Sequence, residues 1–157
     1  MTQSLLQTTT LMSMGQEILD RTVSCLVQQG LTVPTRQLVY VSPIATDCEQ
    51  VVVLFSGWSP QPPWNGLAAC SDFRWCGQFT IGITRCTPAM PGNRAAPTVG
   101  AMEAAAQIAS ADAEALLLLA SSFEEVGSEL AVMTPGPEGG FQTVALSVML
   151  PAFGGLG

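Results

Sequence analysis

The sequence predicts an α+β domain, in which an antiparallel sheet carries two main helices packed on one face. Two long segments, Ser13 to Gln29 and Thr98 to Val126, have apolar residues at helical spacing. The segments between and after them are short, rich in β-branched residues or strictly alternating. The resulting order is α, β, β, β, α, β, β, and the length of 157 residues fits one domain covering residues 1–157.

The first helix is predicted over Ser13 to Gln29. Ser13 and Gln16 have the spacing of a capping box, and Gly30 stands where a left-handed residue ends a helix favourably. Apolar residues and one threonine recur at helical spacing and are predicted to be its buried stripe: Ile18, Leu19, Thr22, Val23, Leu26 and Val27.

Three strands are predicted next. Gln37 to Val41 is short and is followed by Ser42-Pro43. Glu49 to Ser56 is nearly all apolar, which is typical of a central strand covered on both faces. Gln78 to Arg85 alternates, so that two sets of side chains point in opposite directions. These sets are Phe79, Ile81 and Ile83 on one face and Thr80, Gly82 and Thr84 on the other.

The segment Gly57 to Trp75 contains all three tryptophans. A structureless connection of that length is rare unless it is functional. No cluster of basic residues accompanies Trp58, Trp64 and Trp75 in the sequence. Proteins that stack aromatic side chains on nucleic-acid bases usually also have a positively charged groove. We therefore predict that these tryptophans anchor a protein–protein contact.

The second helix is predicted over Thr98 to Val126, after the Pro- and Gly-rich connector Pro88 to Pro97. Its stripe is predicted to contain Ala104, Ile108, Ala111, Ala115, Leu118 and Leu119, with Asp112 at the border. Leu130 to Met133 and Val144 to Leu150 are predicted as the last two strands. Around the last strand Thr143, Ala145 and Ser147 share the face opposite the large apolar residues.

The chain contains no histidine, and all five of its cationic side chains are arginines. Acyl transfer, Schiff-base chemistry, phosphate binding by a Walker lysine and most zinc sites need a histidine or a lysine. The neighbouring acids of the second helix fit a solvated helix face better than a catalytic pair. We therefore predict that the protein is not an enzyme and has no catalytic residue, metal or cofactor.

The five cysteines include no C-x-x-C pair and fit no zinc framework. Cys25 lies on the first helix and is predicted to be a small core residue. Cys48 opens one strand and Cys86 closes the next, so antiparallel pairing would bring the two within disulfide reach. Reduced thiols are the default in cytoplasm. Both states of this pair stay open at the level of sequence.

The composition is 48% hydrophobic and only 11% charged, with a formal charge of −7. So few charges suggest a surface covered by neighbouring subunits, although a small Ala- and Gly-rich domain has the same composition. The acidic balance argues against a surface that grips DNA. The N-terminal segment lacks the basic region of a secretory signal, and the apolar stretch Ala113 to Ala120 is too short to span a bilayer. We expect synthesis in the cytoplasm and no membrane association.

The most specific pattern is a series of short motifs from Asp47 onward. It comprises Asp47-Cys48-Glu49-Gln50-Val51-Val52-Val53, then Cys70, then Arg85-Cys86-Thr87-Pro88, and later Gly139-Gly140-Phe141 and Leu150-Pro151. An Ala-rich helix with an acidic patch lies between these parts. The pattern resembles tail-completion proteins of long-tailed phages that infect actinobacteria, and most closely the lambda-type tail terminator. Cys76 and the tryptophan-rich loop depart from it.

The resemblance implies an α+β subunit of a homomeric ring, expected to be a hexamer, that caps the tail tube and joins it to the head connector. The implied partners are further copies of the chain, the major tail tube protein and the head-tail connector or stopper, and the implied location is the neck of the virion. DNA would pass without tight binding. Candidate channel-facing residues on the polar strand faces are Gln78, Thr80, Thr84, Thr143 and Ser147.

Two alternatives stay open beside the tail terminator. One is a head-to-tail stopper or another neck protein; these are more often β-barrels, and the long Thr98 to Val126 helix counts against that architecture. The other belongs to a different class, a small host ligand-binding domain or enzyme subunit. Such a protein would be monomeric and bind a metabolite, whereas a terminator would form a ring of defined symmetry.

Overall fold

The computed structural model describes residues 11–41, 48–60, 75–87, 96–122, 127–133 and 140–151. Its elements follow the predicted order and confirm the α+β class: α1 (Leu11–Gln28), β1 (Arg36–Tyr40), β2 (Gln50–Pro60), β3 (Trp75–Cys86), α2 (Val99–Ser121), β4 (Gly127–Met133) and β5 (Phe141–Pro151).

The five strands form one sheet in the order β1-β2-β3-β5-β4. β2, β3, β5 and β4 pair antiparallel, as predicted. The edge strand β1 instead pairs parallel to β2, with Arg36 opposite Gln50 and Tyr40 opposite Leu54. The sheet is therefore mixed at this edge.

The hydrophobic core lies between one face of the sheet and the two helices. Alternate residues of β2, β3 and β5 form a continuous apolar layer, because the register places Val53, Ile81 and Leu146 in one row. Phe55 and Phe79 add an edge-to-face contact with ring centroids 5.5 Å apart. The helices cover this layer mainly through Ile18, Leu19, Leu26, Ala115, Leu116 and Leu119. The prediction that both helices pack on one face is confirmed.

The C-terminal end of α1 forms as predicted, but its N-terminal end does not. Gly30 has a φ of 71°, its N–H donates to the Val27 carbonyl, and the Leu31 N–H donates to the Leu26 carbonyl. These two bonds are the Schellman pattern. The predicted capping box is wrong because α1 already includes Leu11, which places Ser13 inside the helix. Gln16 instead donates to Asp20 one turn later, at 2.9 Å.

The buried stripe of α1 is confirmed with one exception. Ile18, Leu19, Thr22 and Leu26 are buried, and Val23 packs against the core. Val27 is 62% exposed, because it lies one residue beyond the fully buried Leu26 and thus about 100° around the helix from it. Helical periodicity thus predicted the centre of the buried stripe of α1 correctly but made the stripe one residue too wide.

The second helix is shorter than predicted and is rotated relative to the prediction. It begins after Thr98, whose side chain accepts a hydrogen bond from the Ala101 N–H, and ends at the cap residue Ser122. The hydroxyls of Ser121 and Ser122 donate back to main-chain carbonyls at 2.6 Å, which competes with continuation of the helix. Residues 123–126 lie outside the described part of the chain.

The rotation of α2 changes which of its residues are buried. Ala104, Ile108 and Leu118, predicted to be in the stripe, are exposed. The buried residues are Ala109, Asp112, Ala115, Leu116, Leu119 and Ala120. The predicted stripe is confirmed at Ala115 and Leu119 and wrong at Ala104, Ile108 and Leu118, because Asp112, placed at its border, is at the centre of the buried face.

The hairpin of β2 and β3 is longer than predicted. Trp58 pairs with Gly77 and Pro60 with Trp75, after an irregularity in the register between Phe55 and Gly57. Both strands therefore continue into the segment that was predicted to be a loop. Trp64, the rest of that loop and most of the connector Pro88 to Pro97 lie outside the described residues.

α2 is long and apolar enough, by length and composition alone, to cross a membrane. A core helix of a soluble protein passes the same test. Here Asp112 is at the centre of the buried face, and Leu116 and Leu119 belong to the core cluster.

Candidate functional site

The sheet face turned away from the helices is the candidate functional surface, and we call it the outer face. Within β2, β3 and β5 the strand register assigns these residues to it: Gln50, Val52, Leu54, Gln78, Thr80, Gly82, Thr84, Thr143, Ala145, Ser147 and Met149. None of these side chains carries a charge. The nearest cation by register is Arg36 on the edge strand β1, opposite Gln50.

Paired hydroxyl groups link β3 and β5 on the outer face. Thr80 Oγ1 and Ser147 Oγ are 3.3 Å apart, and Thr84 Oγ1 and Thr143 Oγ1 are 2.8 Å apart. The row between these pairs contains only small residues, Gly82 and Ala145. The structure therefore brings together four of the five predicted channel-facing residues as two cross-strand pairs. The fifth, Gln78, lies on the same face opposite Met149.

The five predicted channel-facing residues differ in their access to solvent. Ser147 is exposed, and Gln78, Thr80 and Thr143 are half-buried. Thr84 is 0% exposed in the subunit, so the other four residues represent the predicted channel lining at the accessible surface. The Thr84 hydroxyl is occupied by Thr143. The accessible polar side chains of this part of the outer face are thus Gln78, Thr80, Thr143 and Ser147.

The row that contains Thr84 also contains a buried amide oxygen without a hydrogen bond, Oε1 of Gln50. Gln50 is 1% exposed, and its Oε1 accepts no hydrogen bond. An unpaired buried carbonyl oxygen is costly, on the order of 1–3 kcal/mol.

Two of the three predicted interface anchors lie in strands. Trp58 is in β2, one residue after the irregularity that ends at Gly57, and Trp75 is the first residue of β3. The register pairs Trp58 with Gly77 and Trp75 with Pro60. The hairpin therefore brings the backbones of these two tryptophans to the same distal end of the sheet. Trp64 lies outside the described residues.

A buried ion pair joins the opposite end of the sheet to α2. Arg85 Nε donates to Asp112 Oδ2 at 2.9 Å, and Nη2 donates to Asp112 Oδ1 at 2.8 Å. Both residues are nearly inaccessible, at 6% and 0% exposed. Burial by itself lowers the pKa of Arg85, but the hydrogen bonds and charge of Asp112, with a further contribution from Glu49, leave that pKa above its ordinary value.

Glu49 extends this ion pair toward a disulfide bond. Its Oε2 lies 3.6 Å from Arg85 Nη1, and its Oε1 accepts a hydrogen bond from the Cys86 N–H at 3.1 Å. Cys48 and Cys86 are joined, with Cα atoms 4.7 Å apart. We call Glu49, Arg85 and Asp112 the Arg85 cluster. The structure thus has the bonded form of the Cys48–Cys86 pair, one of the two states that the sequence left open.

Sequence reasoning placed Arg85 at a strand end and Asp112 at a stripe border, but missed that they meet. The available signal was an arginine in phase with Ile81 and Ile83 on β3, together with a lone aspartate among apolar residues of a helix. A second polar contact accompanies the pair. Gln142, opposite Arg85 on β5, donates from Nε2 to the Ala105 carbonyl of α2 at 2.8 Å.

A cleft of about 570 Å³ lies between α1 and the C-terminal part of α2. Arg21 crosses it, donating to the Ser122 carbonyl at 3.3 Å and to Glu17 at 2.7 Å. Cys25 lines the cleft and donates to the Ala115 carbonyl at 3.2 Å. Burial raises the pKa of the Cys25 thiol, which keeps it protonated and weakly nucleophilic.

Within the described residues, no group of three or more Cys, Asp or Glu side chains is arranged to hold a metal ion. No protein-family model matches the chain, and no curated protein matches it.

Proposed function

We propose that this protein is a structural component of a phage virion, the subunit of a ring that caps the tail tube and joins it to the head connector. It is made in the host cytoplasm and works in the neck of the particle. The proposal rests on the motif resemblance from Asp47 onward together with one structural observation. That observation is the uncharged, hydroxyl-bearing part of the outer face formed by β2, β3 and β5, which suits a surface along which DNA passes.

The argument from the outer face is electrostatic. Each lysine or arginine that contacts a phosphate releases counterions and adds affinity, so a conduit lined by cations would retain DNA. The described outer-face side chains of β2, β3 and β5 are all uncharged, and the whole chain has a formal charge of −7. Ser147 and the half-buried Thr80 offer hydroxyls that form weak, exchangeable hydrogen bonds with water or phosphate.

The position of Arg85 supports the same proposal. By register this arginine falls on the helix side of β3, and its guanidinium is held by Asp112. It therefore adds no positive potential to the outer face. Arg36 lies on the outer face by register, but on the edge strand, two strands away from the β3–β5 hydroxyl pairs.

The cleft between α1 and α2 is the one observation that favours the alternative of a small ligand-binding domain. Its volume is in the range of small-molecule sites. However, the charged side chains of its lining are engaged within the subunit, since Arg21 bonds Glu17 and the Ser122 carbonyl, and Asp20 accepts from Gln16. The motif resemblance has no counterpart on the side of this alternative, so the ring is the stronger proposal.

The test is the oligomeric state of the purified chain, alone and mixed with purified tail tubes. We expect a closed ring, six-fold by light scattering and negative-stain microscopy, at least on the tubes. Filter binding at low salt should show no tight association with duplex DNA. A strict monomer under both conditions would overturn the proposal, and a monomer that binds a metabolite would establish the ligand-binding alternative.

A further inference from the structure

The Cys48–Cys86 disulfide closes the end of the β2–β3 hairpin next to the Arg85 cluster. Cys48 lies just before β2, and Cys86 is the last residue of β3. The bond joins positions that are 38 residues apart in the sequence. Cys86 is exposed and Cys48 is half-buried, so a small thiol reagent can reach the bond.

Glu49 occupies a special position between this bond and the sheet. It is the one non-glycine residue with a positive φ in the described part of the chain, at 61°. Such a conformation is unfavourable for a glutamate and persists only where its surroundings hold it. Here the disulfide holds Cys48, the residue before Glu49, and strand pairing with Thr84 holds Gln50, the residue after it.

The conformation of Glu49 decides what its side chain can reach. In this backbone geometry Oε1 accepts from the Cys86 N–H, and Oε2 faces Arg85. A residue in an ordinary extended conformation would direct its side chain elsewhere. The disulfide and the outer partner of the Arg85 cluster are therefore linked through a single residue.

We propose that the Cys48–Cys86 disulfide is a redox-sensitive latch that holds Glu49 on the Arg85 cluster. In the oxidised protein Glu49 covers the Cys86 N–H and the outer side of the Arg85 guanidinium. Reduction frees Cys48, Glu49 relaxes to a negative φ, and Arg85 keeps only Asp112 as a partner. The junction between the sheet end and α2 is then looser. This inference does not depend on the ring.

The redox step is a thiol–disulfide exchange. A dithiol of the glutaredoxin or thioredoxin class, or dithiothreitol in the test tube, supplies two electrons and two protons. The Cys48–Cys86 bond breaks to two thiols, and the reductant becomes a disulfide. The reverse step passes the two electrons and two protons to an oxidised glutathione or an oxidised dithiol. A reducing cytoplasm favours the open state, and an oxidising exterior favours the latched state.

Hydrogen exchange at two neighbouring amides tests the latch directly. The Cys86 N–H is held by Glu49, whereas the Thr87 N–H donates to the Gly140 carbonyl at 2.8 Å and is independent of Glu49. Reduction by dithiothreitol should speed exchange at Cys86 by about tenfold, as expected for one lost hydrogen bond to a charged group. Exchange at Thr87 should change much less. Equal changes at both amides, or none at Cys86, would overturn the proposal.

Thermal unfolding of variants provides the second test. Peptide mapping first has to find the Cys48–Cys86 link in protein purified under oxidising conditions, and free thiols there would refute the latch. Because the disulfide closes a loop between positions 38 residues apart, we expect its reduction to lower the Tm by about 10 °C. The variant with Cys48→Ser and Cys86→Ser should unfold like the reduced protein and be insensitive to dithiothreitol.

The effect of Glu49→Gln in each redox state distinguishes a disulfide that holds Glu49 in place from one that only stabilises the fold. Glu49→Gln should lower the Tm of the oxidised protein and leave that of the reduced protein nearly unchanged. Glu103→Gln, on an exposed position of α2, is the matched control and should have no effect in either state. An equal effect of Glu49→Gln in both redox states would show that the disulfide does not hold Glu49.

Discussion

Arg85 and Asp112 illustrate how a single pair of residues fixes one element on another. The pair is bidentate and almost fully buried between β3 and α2. Removing two charges from water is costly, so the pair adds little net stability compared with well-packed apolar residues. It does, however, define the rotation of α2, because only one orientation of that helix brings Asp112 to the guanidinium. This ion pair thus contributes more to the specific orientation of α2 than to the free energy of unfolding.

Breaking this pair from one side should be strongly destabilising. Asp112→Asn leaves a buried guanidinium without its counter-charge, and we expect a loss of about 3 kcal/mol in the free energy of unfolding. Urea denaturation measures it. Glu114→Gln, on the exposed side of the same helix, is the control and should change stability by less than about 0.5 kcal/mol.

A double replacement separates the loss of charge balance from the loss of packing. Arg85→Met with Asp112→Leu should recover a large part of the stability lost in Asp112→Asn, because neither buried position then carries a charge. If Asp112→Asn alone were as stable as the unmodified protein, the buried guanidinium of Arg85 would not need the charge of Asp112 in the folded state.

The contact between α1 and β1 shows the same kind of constraint at the scale of elements. Gly15 is buried in α1, and a Cβ atom added there would collide with Val39 Cγ1 of β1. The helix lies so close to the edge strand that only glycine fits. This contact helps to hold β1 on the sheet, where it is paired along one side only, with β2.

The two glycines of the helices provide a matched test of that contact. Gly15→Ala should destabilise the protein by about 1–3 kcal/mol, because overpacking outweighs the gain in helix propensity. Gly100→Ala, in the first turn of α2 with nothing within 4 Å of the added Cβ, should be neutral or stabilising by up to about 1 kcal/mol.

Replacing the residue that the new methyl group meets checks the mechanism. With Val39→Ala already present, Gly15→Ala should be much less harmful than it is alone, which a double-mutant cycle would detect. Additive effects of the two replacements would mean that the helix and strand are not in the close contact described here.

At the scale of the whole molecule, the described arginines lie away from the β3–β5 part of the outer face, and the acidic residue next to it by register is Glu129 of β4, opposite Ser147. Arg21 is on α1, Arg85 is buried on the helix side, and Arg36 is on the edge strand. The outer face itself offers hydroxyls and amides. In a ring, this asymmetry would let one surface border DNA while the helices face outward or toward neighbouring subunits.

An added arginine on the outer face should turn a passive surface into a binding one. In the assembled ring, Gln78→Arg places a cation on the outer face opposite Met149 on every subunit, and we expect duplex DNA affinity at low salt to rise by about tenfold or more and to fall steeply with salt. Ser110→Arg, on an exposed position of α2, is the matched control. Equal DNA binding by both variants would show that the outer face does not border the DNA.

Much of the architecture was predictable because it depends on local patterns. Strict alternation in Gln78 to Arg85 correctly assigned Ile81 and Ile83 to one face and Thr80 to the other, since side chains of a strand have a fixed period of two. The left-handed end of α1 at Gly30 was predicted for the same reason, because glycine alone tolerates that backbone at low cost. The existence and order of the elements followed from these signals.

The sequence by itself therefore determined the fold class, the faces of the strands and the polar character of the outer face. The tertiary structure decided the parallel pairing of β1, the rotation of α2 around Asp112, the burial of Thr84 and the link from Cys48 through Glu49 to Arg85. These features depend on contacts between residues far apart in the chain. Periodicity describes one element at a time, and cannot state which partner a buried charge will meet.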